Sequence, residues 1–366
     1  MHQTINERYA HLLATYCLNL KPGDKVYVTS TILAEPLVKA FYKTALAMGA
    51  HVEYHLQFSE SNKIFLETAS EEQLDFVSPL SMEVMKTFDA YLVIRAPYNL
   101  KEDQNNPKAK NARRSEALRE LNQIYFDRTG SKSMRRCLCQ YPTPASAQEA
   151  GMSLSEYEHF VYNACKLFED DPSTAWSELG KDQQRIVDYL NKSDLIQYKN
   201  QRSDIQFSVK GRTWINSDGK SNMPSGEVFS APEEDSVNGF VYFDYPSIFW
   251  GQEVRGISLE VSQGEIVKWH AEQGQEILDQ IIEIPGARYF GEVAIGTNYQ
   301  IQQATKNILF DEKIGGSIHM AIGQTYYQAG GKNESSIHWD MIANMKDSGQ
   351  IFADGTLIYE NGIFLI

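Results

Sequence analysis

Apolar positions along the first half of the chain switch repeatedly between two periods. Tyr9, Leu12, Leu13, Tyr16 and Leu20 recur at helical spacing up to the turn signal Pro22-Gly23-Asp24. Lys25-Val26-Tyr27-Val28-Thr29 then reads as a short strand. The pattern continues with a helix around Leu37 to Met48, an alternating strand from His51 to Gln57 and an apolar strand at Tyr91-Leu92-Val93-Ile94. A polar helix near Pro107 to Arg128 and a strand at Arg136-Cys137-Leu138-Cys139-Gln140 follow. Strands separated by segments long enough for crossover helices predict an α/β domain over residues 1–190. Helical patterns from Ala145 to Cys165 and Trp176 to Leu190 complete it, with Pro142 and Pro144 punctuating their approach.

After about Asn191 the texture becomes strand-rich, with many turn signals. Ile205 to Val209, Val241 to Phe243, Ile257 to Val261 and Ile266 to Trp269 read as strands, and one helix near Glu272 to Ile282 interrupts them. Asp354-Gly355 and Asn361-Gly362 are hairpin-type turns between the last apolar strands. The second half, residues 191–366, is therefore expected to be an α+β, strand-rich domain. A length of 366 residues exceeds what one hydrophobic core usually serves, which agrees with two domains.

Composition narrows the partners. A formal charge of −14 and a pI near 5.1 oppose attraction to nucleic acid or to an anionic membrane. Arg113-Arg114 and Arg135-Arg136 are short basic pairs and do not reverse that. Charges interrupt every apolar run, so no membrane span is expected. The Met1 to Tyr9 segment is polar and lacks the apolar core of a signal peptide. Cys17, Cys137, Cys139 and Cys165 contain no CxxC and read as thiols, which suits a cytoplasmic location. No GxGxxG or Walker-type loop occurs in the first half, so no nucleotide cofactor is indicated.

Candidate chemistry lies in three islands of the second half. In Asn222-Met223-Pro224-Ser225-Gly226-Glu227-Val228-Phe229, a Pro/Gly turn precedes a carboxylate; taken singly, Glu227 reads as a surface residue at a strand start. In Tyr289-Phe290-Gly291-Glu292-Val293-Ala294-Ile295-Gly296, Glu292 either points to solvent at period 2 or is buried with a cation or donor. The third island runs from Gly315 through His319 to Tyr326 and on to Ser336-Ile337-His338-Trp339-Asp340. Alone, His319 reads as a core histidine. His338 and Asp340, two apart on extended backbone, face one side and can converge on a cation while Trp339 packs behind. Together these carboxylates and imidazoles suit a pair of divalent cations such as Zn, Co, Mn or Mg, and a glutamate has two oxygens with which to bridge them. The acidic run Glu233-Glu234-Asp235 reads as a solvated loop with some capacity to attract an ammonium group. His51, His55, His159 and His270 have no ligand pattern around them.

The islands, with Ala231-Pro232, resemble the thermophilic-type metallo-aminopeptidases of peptidase family M29 in order and spacing. The resemblance extends to Tyr141-Pro142-Thr143-Pro144-Ala145 and Gln148 to Ser153, and so covers nearly the whole chain. Carried over residue by residue, it implies that Glu227, Glu292, His319, His338 and Asp340 ligate two divalent metal ions per chain. Tyr326, seven residues after His319, falls on the family's active-site tyrosine. The implied activity is removal of N-terminal residues from peptides with a free N-terminus, by a homodimer whose first domain serves assembly and enclosure of the active site. Glu292 is the expected bridge, and either Glu227 or Glu292 the general base. Tyr326 either donates to the oxyanion or orients a ligand. The loop Tyr327 to Ser335 looks shorter than the family's, which bears on substrate preference rather than on the ligands. The rival readings are a two-metal hydrolase of another amide or ester and a non-catalytic, metal-stabilised binding protein.

Overall fold

The computed structural model describes residues 3–366; Met1 and His2 of the polar N-terminal segment lie outside the described residues. The chain forms two units, Met1–Ser173 with Gly219–Pro224 and Thr174–Asp218 with Ser225–Ile366. This differs from an expected boundary at residue 190. The helix Pro172–Leu190 carries Ile186, Val187 and Leu190 into the core of the second unit, so its apolar face, rather than the change of texture after it, sets the division.

The first unit is built on a five-stranded parallel sheet. Its order is His51–Gln57, Lys25–Thr31, Ala90–Arg95, Arg135–Gln140 and Asn222–Met223. Parallel neighbours require crossovers, and the helix Glu35–Ala47 supplies the first, burying Leu37, Val38, Phe41 and Ala45. His51–Gln57 is a mostly exposed edge, consistent with its polar alternation. The helix expected over 107–128 is two, Lys108–Ala117 and Arg119–Gly130, because Leu118 leaves helical backbone (φ −85°, ψ 0°). Helices Ser61–Thr68, Glu71–Asp75 and Pro79–Thr87 have no counterpart in the periodicity, since five to nine residues give a 3.6-residue period little room to show. Three residues of the two basic pairs are engaged by acceptors of the chain itself. Arg113 holds Asp75 at 2.7 and 2.8 Å, Arg114 reaches the Leu74 and Phe76 carbonyls, and Arg135 joins Asp24 at 2.7 Å. All four cysteines are buried free thiols. No helix among the described residues is long and apolar enough to cross a membrane.

The second unit contains a nine-stranded sheet and a five-stranded antiparallel sheet. The smaller one, ordered His338–Asn344, Ser317–Gly323, Phe290–Gly296, Glu227–Ser230, Ile215–Ser217, carries Glu227, Glu292, His319, His338 and Asp340 of the three islands, whereas Asn222–Met223 of the first island belongs to the parallel sheet. Its three central strands are buried at every position, which hides the usual polar-out alternation. Val293, Ile295, Ile318, Met320, Ile322, Trp339 and Met341 lie in the main apolar core, with residues of the larger sheet and the helix Gln275–Ile282. The predicted strands over 241–243, 257–261 and 266–269 are present within Asn238–Phe243, Gln252–Ser262 and Glu265–Gln273, and that over 205–209 corresponds to Ser203–Ser208, one residue short of Val209.

Candidate metal centre

Register brings the islands together. Gly296 stands opposite Glu227, Ala294 opposite Phe229 and His319, and Glu292 opposite Ala321, which is paired with Asp340 on its other side. Gly323 is opposite His338. With a side-chain period of 2, Glu227, Glu292, His319, His338 and Asp340 all project from one face of the sheet. The alternate residues project into the apolar core behind. Ala294 and Ala321 share the polar face and are small enough to leave room above them.

Each strand that carries a candidate ligand is pinned locally. Gly226, at φ +113°, makes the turn into Glu227, and a Cβ there would come within 2.7 Å of the Asn298 Cβ, so glycine is required. The Glu227 carbonyl accepts from Gln183 Nε2 at 2.9 Å, and Gln183 Oε1 accepts from Thr297 Oγ1 at 3.1 Å. Trp339 Nε1 donates to Ser247 Oγ at 2.6 Å, and Ser247 Oγ donates to the Asp340 carbonyl at 2.9 Å. Trp339 therefore packs behind its two neighbours, as the spacing predicts.

Glu292 is central. Its Oε1 lies 3.4 Å from His319 Nε2 and its Oε2 3.2 Å from His338 Nε2. His319 Nε2 is also 3.4 Å from Glu227 Oε2, and His338 Nε2 is 3.5 Å from Asp340 Oδ1. Two groups of donor atoms each lie within 4.8 Å, Glu227/Glu292/His319 and Glu292/His338/Asp340, with Glu292 common to both. His338 Nδ1 donates to the Gln324 carbonyl at 2.7 Å, which orients Nε2 toward the carboxylates, where it can ligate a cation once it is unprotonated.

The residues fit divalent cations. Glu227 Oε2 and Asp340 Oδ1 are buried oxygens without a hydrogen-bond partner, an arrangement that is costly unless something positive sits beside them. The donors are oxygen and nitrogen with no sulfur, unlike closed structural zinc sites. The electrostatics agree. Burial alone would lower His319, but Glu292, Glu227 and Asp340 hold it up at about 9. His338 is likewise raised against burial by Asp340 and Glu292. Burial would raise Asp340, yet His338 and then His319 and Lys313 bring it down to about 2.

Tyr326 lies beside the site, its ring 5.2 Å from that of His338 and 5.5 Å from that of Phe229. It keeps 45% of its surface exposed. Its hydroxyl is nevertheless raised above the usual value, first by desolvation and then by Glu292 and Asp340, so it is held as a neutral donor. The loop after it begins with a 3-10 turn, Tyr327–Ala329, and is fastened by Asn333 Nδ2 to the Gly286 and Gly323 carbonyls at 2.9 and 2.6 Å. Glu234 of the acidic run accepts from the Lys332 amide at 2.7 Å and from Arg212 at 2.6 Å; it ties down this loop and is already engaged by a cation of the chain. His51, His55, His159 and His270 belong to neither metal-capable group among the described residues.

Sequence reasoning missed Glu312 and Lys313. The Lys313 ammonium, fully buried, lies 3.5 Å from Glu227 Oε1 and against Glu312. Burial pushes the Glu312 carboxyl up to about 8, with Lys313 acting in the opposite direction. The only signal for them was a charged pair directly before the Ile314-Gly315-Gly316 turn into the His319 strand.

A face of carboxylates and imidazoles on a buried antiparallel sheet, open to an adjacent tyrosine, defines a protein that works through bound metal. The chain matches the family model described as thermophilic metalloprotease (M29) over residues 2–364. It is 29% identical to Aminopeptidase 2 of Geobacillus stearothermophilus, over 93% of this chain and 92% of that protein. It is 26% identical to aminopeptidase PepS of Streptococcus thermophilus, over 98% of each. Identity to Aminopeptidase T of Thermus thermophilus is 25%, over 96% of this chain and 95% of that protein. Among solved structures, wild-type AmpT from Thermus thermophilus superposes with a TM-score of 0.84 at 24% identity, covering 99% of each chain, and shares the fold. The chain belongs to the M29 metallopeptidases, as the islands indicated, and is a hydrolase.

Proposed function

We propose that the chain, a metal-dependent aminopeptidase, removes N-terminal residues from peptides by two-metal hydrolysis at the face formed by Glu227, Glu292, His319, His338 and Asp340. The observation that carries the two-metal reading is the pair of donor groups sharing Glu292, whose two oxygens address different histidines. Divalent cations bound there, among Zn, Co, Mn and Mg, bring the pKa of a water toward neutrality and polarise the scissile carbonyl.

The chain's own groups do the rest. Glu292 spans the two donor groups, and Glu292 or Glu227 receives the proton of the attacking water. The Tyr326 hydroxyl donates to the oxygen of the tetrahedral species, and its neutrality across the physiological range suits that role. The phenyl ring of Phe229 and the Tyr326 loop bound the place where a substrate side chain rests.

The first unit holds neither of the metal-capable groups found among the described residues, and we assign it to assembly of a homodimer. Four buried thiols with no disulfide support residence in the cytoplasm. Solution scattering of a dimer is the expected result for assembly.

The test is a panel of aminoacyl chromogenic amides with metal-loaded protein. Cleavage of free-amine substrates and not of their N-blocked counterparts is expected; cleavage of blocked amides alone refutes the aminopeptidase reading. Glu292→Gln is expected to abolish turnover and lower bound metal, and near-normal activity in that variant removes Glu292 from the bridging role.

A further inference from the structure

We propose that Lys313 is a positioning residue that makes the two cation sites unequal. Its ammonium takes up one oxygen of Glu227 and fixes a positive charge beside the Glu227/Glu292/His319 group, so the cation held there is bound more weakly than the one held by Glu292, His338 and Asp340. This inference rests on the two-cation reading above.

The geometry of Lys313 is fixed from the backbone outward. It follows the short helix Ile308–Asp311, its amide donates to the Phe310 carbonyl at 3.0 Å, and its own carbonyl accepts from the Asn298 amide at 3.1 Å. Asn298 is held in turn by the Ser225 carbonyl, 2.9 Å from its Nδ2, at the turn that introduces Glu227. The lysine and its glutamate are therefore fastened to one another through the same asparagine. A buried ammonium requires carboxylate partners, and Lys313 has Glu312 in direct contact and Glu227 Oε1 at 3.5 Å.

The two oxygens of Glu227 are thereby divided. Oε1 faces the ammonium, while Oε2 faces His319 Nε2 at 3.4 Å and has no hydrogen-bond partner. Oε2 is the oxygen without a hydrogen-bond partner, so it is the one that Glu227 offers first to a cation, while Oε1 is shared with the ammonium. On the other side, the ion-pair partners of Glu292 and Asp340 among the described residues are histidines. A neutral imidazole does not repel a divalent cation, whereas an ammonium in a buried, weakly screened setting does.

The experiment is calorimetric titration of chelator-stripped full-length protein with Zn2+, with bound zinc counted by elemental analysis after dialysis. Wild type is expected to show two classes of site at least tenfold apart, about 1.4 kcal/mol. Lys313→Met, which removes the repelling charge, should tighten the weaker class by roughly 10-fold or more, while Lys313→Arg, which keeps the charge, should leave it weak. An unchanged weaker class in folded Lys313→Met overturns the proposal, as do two equal classes in wild type. Saturation of wild type at one zinc or none instead refutes the two-cation reading beneath it. If Lys313→Met does not fold, His319→Ala and Asp340→Ala decide, since each retains one donor group intact. Asp340→Ala must then hold its zinc at least tenfold more weakly than His319→Ala, and equal or reversed affinities overturn the proposal.

Discussion

Metal loading at this site is expected to release protons at neutral pH. In the cation-free protein, burial works to lower His319, but Glu292, Glu227 and Asp340 outweigh it and hold the imidazole at about 9. A ligand nitrogen must be unprotonated, so loading at pH 7 expels a proton against about two pH units, or about 3 kcal/mol. Apparent affinity should therefore climb about tenfold per pH unit from 7 to near 9 on account of His319 alone, then level off. His338, also raised, adds to the steepness. The same shift acts on folding. A histidine whose folded value lies above its unfolded value of about 6.5 contributes stability in full below that pH and loses it as the pH rises toward 9. Chelated protein should accordingly lose stability between pH 6.5 and 9. The assays are zinc calorimetry at pH 7 in two buffers of different ionisation enthalpy, and thermal denaturation of chelated protein across that range. An affinity that is flat from pH 7 to 9, with no proton released at pH 7, refutes the reasoning.

Three further outcomes are expected. Tyr326→Phe should lower kcat by about 10²- to 10³-fold with bound zinc unchanged, as removal of an oxyanion donor does; loss of zinc instead would make the tyrosine an orienting group. Met341→Ala, behind the site in the apolar core, should cost about 2–5 kcal/mol in urea denaturation of the second unit, and a cost well under 1 kcal/mol would contradict its close packing. Glu234→Ala should leave Arg212 buried without its carboxylate and release the Lys332 amide, seen as faster hydrogen exchange over residues 327–335; unchanged exchange would show that the loop is held by Asn333 alone.

Local sequence was informative wherever one element carries the signal. The strand His51–Gln57 and the helix Glu35–Ala47 follow their own periodicity. The short helices between residues 61 and 87 do not, although Ser70 and Gln73 form a capping box that marks one start. The pairing of His338 and Asp340 on one face needs only the period of an extended chain, and the same period sends Trp339 into the core.

The remaining candidate ligands lie on other strands, and there sequence reasoning alone left Glu227 and His319 with bland alternatives. Whether Glu292 faces solvent or a cation depends on what covers its strand, and both faces of that strand are buried. Register then decides the centre: Glu292 opposite Ala321, Ala294 opposite His319 and Gly296 opposite Glu227 place three separate islands on one face. Lys313 and Glu312 enter the site from a turn rather than a strand, with no periodicity to announce them. The sequence by itself determined the alternation of elements, the donor types and the family they belong to. The tertiary structure decided that those donors form two groups around one shared carboxylate with a buried ammonium beside one of them, because distances between strands are set by pairing and burial across the sheet and not by spacing along the chain.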